Sequence, residues 1–170
     1  MFRRKRLKLV IYGEHGVGKT TLLEKILGNQ ILKIDDGKSG STIAMDYGCM
    51  FINGFEVHCF GTPGQNRFEF MREVLSKGVN LALIVIDSTK GISQRDIQTI
   101  KELKQSKIPV IVVANKQDLP GALTPSEISS KISECTGTCP VIGTSAKYNV
   151  GIDRLLLEVY RLIDPLYKAL

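Results

Sequence analysis

Eight residues carry the clearest chemistry in the chain. Gly13-Glu14-His15-Gly16-Val17-Gly18-Lys19-Thr20 follow the spacing Gly-x4-Gly-Lys-Ser/Thr and lie between an apolar strand pattern and a helical one. Glycines at this spacing let the backbone curl, so that N–H groups from Glu14 through Gly18 point at phosphate oxygens. The helix that follows adds the positive end of its dipole. Lys19 brings a point charge to the outer phosphates. Thr20 offers a hydroxyl to magnesium, an ion that takes oxygen ligands in octahedral array and binds through nucleotide phosphates as well. Thr21 completes the phosphate-side set. A plain glycine turn is the competing reading, and the strand-to-helix setting weighs against it.

A second group lies about a hundred residues on. Asn115-Lys116-Gln117-Asp118, with Leu119 next, follows an apolar strand pattern, so its side chains emerge at a strand's carboxyl end, where open α/β sheets bind ligands. The Asp118 carboxylate can accept two hydrogen bonds from guanine's ring N–H and exocyclic amine, groups that adenine does not present in that arrangement. An adenine nucleotide would leave it desolvated and unpaired, which is how a site discriminates by ~10⁴ or more. Lys116 can lay its aliphatic stem on the purine face, and Asn115 can tie this loop to the phosphate loop. Thr144-Ser145-Ala146-Lys147 also follows a strand and can offer backbone N–H groups from Ser145, Ala146 and Lys147 to the guanine carbonyl.

These residues need a scaffold that brings strand ends together. Apolar, β-branched runs alternate with helical-period segments, the pattern of an α/β protein with a mostly parallel sheet and helices on both faces. Six strands are predicted: Leu7 to Tyr12, Ile43 to Ile52, Phe55 to Phe60, Val79 to Asp87, Val110 to Asn115 and Val141 to Gly143. Asn53-Gly54 is a two-residue turn signal that makes the second and third an antiparallel hairpin. Gly13 to Thr20 turns the chain into a helix predicted through about Leu27, and further helices are predicted near Gln94 to Lys107, from Thr124 to about Cys135 and from Ile152 onward, with a helical stretch late in 61–78. Thr124 with Glu127 three residues on reads as a capping box. Residues 28–41 read as a mobile loop.

Bulk properties limit the alternatives. A length of 170 residues and 43% hydrophobic content suit one globular domain over 1–170. No apolar run approaches the ~20 residues needed to span a bilayer, and the start lacks a secretory signal pattern, so a cytoplasmic protein is expected. Cys49, Cys59, Cys135 and Cys139 lack paired spacings and read as reduced thiols rather than a zinc site. The net charge of +6 gathers partly at Arg3, Arg4, Lys5, Arg6 and Lys8. That cluster reads first as a solvated strand edge, and at most as a peripheral membrane contact. Nucleic acid is not an expected partner.

The order of these motifs, with Thr42 and Gly64-Gln65 between them, resembles the Ras superfamily over nearly the whole chain. Thr42-Ile43-Ala44-Met45-Asp46-Tyr47-Gly48 resembles the first switch of Rab proteins. Asn115-Lys116-Gln117-Asp118-Leu119-Pro120-Gly121-Ala122 resembles Arf proteins, and Phe60-Gly61-Thr62-Pro63-Gly64-Gln65-Asn66-Arg67-Phe68 looks like the second switch of prokaryotic polarity-type GTPases. The resemblance implies a P-loop NTPase with a Ras-like G domain, acting as a GTP/GDP switch with Mg2+. Thr42 would ligate the metal alongside Thr20 and hold the γ-phosphate. Gly64 would hold the same phosphate through its N–H, and Gln65 would orient the attacking water. Effectors, a GTPase-activating protein and roadblock-type proteins would read residues 30–48 and 61–78.

Two positions depart from that family's pattern. Gly61 stands where the superfamily usually has the aspartate that holds magnesium through water, and Asp46 is a substitute from the second shell. His15 stands where many Ras proteins have glycine, near the γ-phosphate, which implies slow hydrolysis. These departures keep a second reading open, a nucleotide-binding regulatory scaffold with negligible turnover. A third, a P-loop kinase or ATPase, is opposed by Asp118.

Overall fold

A computed structural model describes residues 5–28, 32–34, 45–63 and 76–168. Its elements in chain order are β1 (Lys5–Tyr12), α1 (Lys19–Leu27), β2 (Leu32–Ile34), β3 (Met45–Ile52), β4 (Phe55–Gly61), β5 (Leu81–Asp87), α2 (Gln94–Gln105), β6 (Val110–Asn115), α3 (Pro125–Thr136), β7 (Val141–Gly143) and α4 (Ile152–Lys168). The strands form one sheet in the order β2-β3-β4-β1-β5-β6-β7. From β4 through β7 every pairing is parallel, while β3 runs antiparallel to both β2 and β4.

Alternation along the central strands explains the layers. Leu9, Ile11, Leu81, Leu83, Val85, Ile111 and Val113 share one core with Leu22 and Leu23 of α1 and Leu155, Val159 and Ile163 of α4. Their in-between neighbours Val10, Ala82, Ile84, Ile86, Val110, Val112 and Ala114 share the other with Ile100 and Leu103 of α2 and Ile128 and Ile132 of α3. A strand buried on both faces must be apolar at consecutive positions, which is why β5 and β6 read as unbroken runs. β4 buries only every second residue and keeps the two-residue period.

The six expected strands are all present, with helices on both faces. A seventh, β2, falls within the segment read as a mobile loop. Three residues are too few to show a periodicity, and Leu32–Ile34 is a strand by virtue of its pairing with β3, Leu32 opposite Tyr47 and Ile34 opposite Met45. The basic cluster also sits differently than expected. β1 lies inside the sheet between β4 and β5, not at an edge. There Arg6 Nε approaches Glu56 at 3.7 Å, and Lys8 Nζ donates to the Lys77 carbonyl at 2.8 Å. The hairpin turn is as expected, with Asn53 and Gly54 both at positive φ, 48° and 86°. Arg3, Arg4, most of the 28–41 segment and the helix expected late in 61–78 lie outside the described residues.

Both α2 and α3 begin with complete capping boxes, Ser93 with Asp96 and Thr124 with Glu127. In α2 the Asp96 N–H donates to Ser93 Oγ at 3.1 Å, and Ser93 N–H returns a bond to Asp96 Oδ2 at 3.2 Å. Replacing Ser93 by alanine is expected to lower unfolding stability by about 1 kcal/mol. Urea unfolding would show it as a lower midpoint with an unchanged slope.

Candidate functional site

Four segments meet at the carboxyl edge of the sheet: residues 13–18 after β1, Asp87 and Ser88 at the end of β5, 115–119 at the end of β6 and 144–147 after β7. The strand order places β4 on one side of β1 and β5 on the other, so the loop after β1 opens where chain direction across the sheet reverses, the usual crevice of an open α/β sheet.

Asn115 joins these loops. It is 3% exposed at the end of β6. Its Nδ2 donates to the Val17 carbonyl at 2.9 Å, and its Oδ1 accepts from Thr144 Oγ1 and from the Ala146 N–H, both at 3.0 Å. The tie from Asn115 to the phosphate loop is therefore present. It also dictates a glycine: Gly18 has φ 100°, and a Cβ there would collide with the Asn115 carboxamide nitrogen. Two expected donors are already committed, since the Ala146 N–H goes to Asn115 and the Ser145 N–H to the Val150 carbonyl.

At the phosphate end, α1 starts differently from α2 and α3. Its N-cap is Gly18, no side chain caps it and its first turn carries no acidic residue. A helix start of this kind keeps its positive end for an anion from outside the helix. Lys19 Nζ donates to the Gly13 and Glu14 carbonyls at 2.8 and 2.7 Å, which curls the loop around the ammonium. The Thr20 hydroxyl donates to Asp46 Oδ2. Glu14, His15 and Gly16 are exposed, as a loop cradling a ligand from the solvent side requires.

At the other end, Gly18, Thr21, Asn115, Lys116, Asp118, Leu119, Ala146 and Lys147 line a hollow of about 260 Å³. Ser145 Oγ donates to Asp118 Oδ1 at 2.6 Å and fixes that carboxylate at the rim. Lys116 sits at φ 65°, a left-handed conformation uncommon for a side-chain-bearing residue, which turns the chain sharply at the strand end. Its Nζ reaches Asp87 Oδ2 at 2.8 Å. Burial pushes the Asp87 carboxyl up, but hydrogen bonds from Lys116 and Thr89 outweigh it and hold the group below the ordinary carboxylate range. A larger hollow of about 450 Å³ lies between β1 and α2, lined by Tyr12, Arg95, Thr99 and Leu103 among others, away from Asp118.

The structure thus gathers the residues singled out in 13–21, 115–119 and 144–147. Thr42, Gly64 and Gln65 lie outside the described residues. Sequence reasoning missed Asp87 and Gln117. Asp87 closes the apolar run of β5 at a strand's carboxyl end, and that position was the available signal. Gln117 Nε2 donates to Ser88 Oγ at 2.8 Å and to the Leu123 carbonyl at 2.9 Å, a brace that no local spacing indicates. On the far face of the β3–β4 hairpin, His58 is held by the Tyr47 hydroxyl at 2.6 Å and faces Glu56 at 2.9 Å, apart from this site.

Residues 4–165 match the family model described as the elongation factor Tu GTP binding domain. The chain belongs to that family of GTP-binding domains. It is similar to an uncharacterized protein of Methanocaldococcus jannaschii, 40% identical over 92% of this chain and 97% of that protein. It is also similar to translation initiation factor IF-2 of Enterococcus faecalis, 28% identical over 95% of this chain but only 22% of the factor. Among solved structures, the G domain of the T. maritima FeoB iron transporter superposes with a TM-score of 0.71 at 21% identity, covering 93% of this chain and 99% of that one. Elongation factor SelB of Methanococcus maripaludis, solved with the GTP analogue GppNHp, superposes with a TM-score of 0.74 at 22% identity over 96% of this chain and 35% of the factor. These structures share the P-loop GTPase fold. The family is broader than the Ras-type resemblance, since the relatives that the chain matches include a translation initiation factor.

Two outcomes test the site's architecture. Asn115→Ala leaves the Val17 carbonyl, the Thr144 hydroxyl and the Ala146 N–H without their partner, and should cost at least about 2 kcal/mol in urea unfolding. Asp87 has a depressed folded-state value, so its contribution is full above its unfolded value near ~3.9 and fades as pH falls through the lower folded value. The stability gap between the natural protein and Asp87→Asn should therefore be constant from pH 7 to about 5 and narrow in more acid solution. A gap independent of pH would assign Asp87 no such coupling.

Proposed function

We propose that this chain is a magnesium-dependent molecular switch that binds GTP and GDP selectively and hydrolyses GTP slowly. The observation that carries the reading is the Asn115 bridge. It holds an Asp118 carboxylate, steadied by Ser145, and an uncapped helix start at opposite ends of one crevice, matching a guanine and its phosphate tail. In this reading the amides of residues 14–18 and Lys19 hold the phosphates. Asp118 pairs with the guanine edge, Lys116 covers the base, and Leu119 and Lys147 border it. The Val150 carbonyl takes the Ser145 N–H and Asn115 takes the Ala146 N–H, which leaves the Lys147 N–H of the last loop for the guanine carbonyl.

The residues at the metal position fit magnesium. The Thr20 hydroxyl and the Asp46 carboxylate are hard oxygen donors beside the phosphate loop, the chemistry that this ion takes. Bound there, the ion would neutralise phosphate charge. Thr42 would join Thr20 when the γ-phosphate is present. Water, oriented by Gln65, would attack the γ-phosphorus while the Gly64 N–H holds that phosphate, and the bond to the β–γ bridging oxygen would break to leave GDP and phosphate. Loss of that phosphate releases residues 30–48 and 61–78, the surface that effectors, a GTPase-activating protein or roadblock-type partners would read. The chain would work as one domain in the cytoplasm, in the manner of a Ras-type switch, with membrane contact at most peripheral. No described helix is long and apolar enough to cross a membrane.

Calorimetry with GDP and ADP, and single-turnover assays with GTP and ATP, test this reading. GDP is expected to bind ~10⁴-fold tighter than ADP. Gln65→Ala should slow GTP hydrolysis on the order of 10²-fold through misplacement of the water, with GDP affinity unchanged. Equal affinity for both purine nucleotides would overturn the guanine assignment. Guanine-selective binding without turnover would instead leave the regulatory-scaffold reading, which Gly61 and His15 favour.

A further inference from the structure

The geometry points to Asp46 as the relocated magnesium-site carboxylate of this chain, supplied from β3 in place of the one that Gly61 lacks on β4. This inference rests on the switch reading above and names a residue for its metal site.

The sheet register puts the two positions together. Asp46 is directly opposite Gly61 in the antiparallel β3–β4 pair, so side chains at both would project to the same face. That face is the one where Met50 and Ile52 pack against the core shared with α1. A Cβ built on Gly61 would stand 3.2 Å from Asp46 Cβ and 3.6 Å from its Oδ2. The Asp46 side chain therefore borders the space into which a side chain from 61 would project, and a Cβ at 61 would need Asp46 to give by a few tenths of an ångström. Thr62 locks the end of β4 beside it, its N–H and its hydroxyl both donating to the Ile11 carbonyl at 2.9 Å.

The charge at Asp46 supports a cation. The residue is 6% exposed, and a buried carboxylate is costly unless a countercharge or several donors compensate it. Among the described residues its partner is the Thr20 hydroxyl, and none of the ion pairs found among them involves Asp46. A hydroxyl can donate its proton to a carboxylate and still present lone pairs to a metal. Asp46 thus orients Thr20 and adds the negative charge that a divalent ion between Thr20 and the phosphates requires, the role outer carboxylates play around metal ligands. The shift from β4 to β3 also moves this charge from the strand leading into residues 62–65 to the strand following Thr42.

The test is the Mg2+ dependence of fluorescent GDP release from the purified full chain. Asp46→Asn keeps the side chain's size and should raise the Mg2+ concentration that half-suppresses release by about 10–100-fold. Release in EDTA should stay as in the natural protein. Exchanging the pair, Asp46→Gly with Gly61→Asp, keeps one carboxylate in the pair and should restore the Mg2+ midpoint. A midpoint unchanged in Asp46→Asn overturns the inference, and so does an exchange variant that holds GDP in EDTA but does not recover. A chain that holds no guanine nucleotide with or without Mg2+ overturns the switch reading together with this one. Retained GDP with a Mg2+ midpoint indifferent to Asp46 removes only the relocation.

Discussion

The carboxamide of Asn115 is the interaction on which the site's construction rests. One planar group donates to the loop after β1 and accepts from the loop after β7, while its own backbone ends β6. Three segments far apart in sequence are thereby held at fixed distances in the interior, where each lost partner would leave a polar group desolvated. The requirement propagates outward. Position 18 must be glycine because the carboxamide occupies the room a side chain would need, and an α1 that starts on glycine has no side-chain cap to close its positive end. A buried hydrogen bond chosen for geometry thus also leaves the helix start open to an anion.

Three carboxylates around the crevice are tied to two kinds of partner. Asp87 has an ammonium at 2.8 Å, Asp118 a serine hydroxyl at 2.6 Å and Asp46 a threonine hydroxyl. A lysine partner neutralises charge outright and makes Asp87 a structural anchor for the Lys116 turn. A hydroxyl only orients a carboxylate and leaves its charge to attract something else. The two carboxylates left with hydroxyl partners flank the two ends of the crevice, one toward the base hollow and one toward the α1 start.

Membership in a broad GTP-binding family sets what the shared motifs establish. The chain is similar to an initiation factor and shares its fold with the G domain of an iron transporter, so family membership speaks to the nucleotide and not to the pathway. Gly61, which lies opposite Asp46, and His15 in the loop are single residues that depart from the Ras pattern. Their weight comes from their neighbours in space.

Local signals in the sequence determined most of the fold. Apolar runs fixed by two-face burial gave β5 and β6, a two-residue period gave β4, Asn53-Gly54 the hairpin and Thr124 with Glu127 a helix start, because each depends on residues within a few positions of one another. The motifs of the crevice were legible for the same reason: strand ends and loop spacings are local. Tertiary structure alone decided β2, which three residues cannot announce, the interior place of the basic β1, and the partners of Asp87, Gln117 and Asp46. Those partners lie across the sheet or beyond a loop, and register, a property of paired strands, is what brings a carboxylate on β3 to the border of the space left by a glycine on β4.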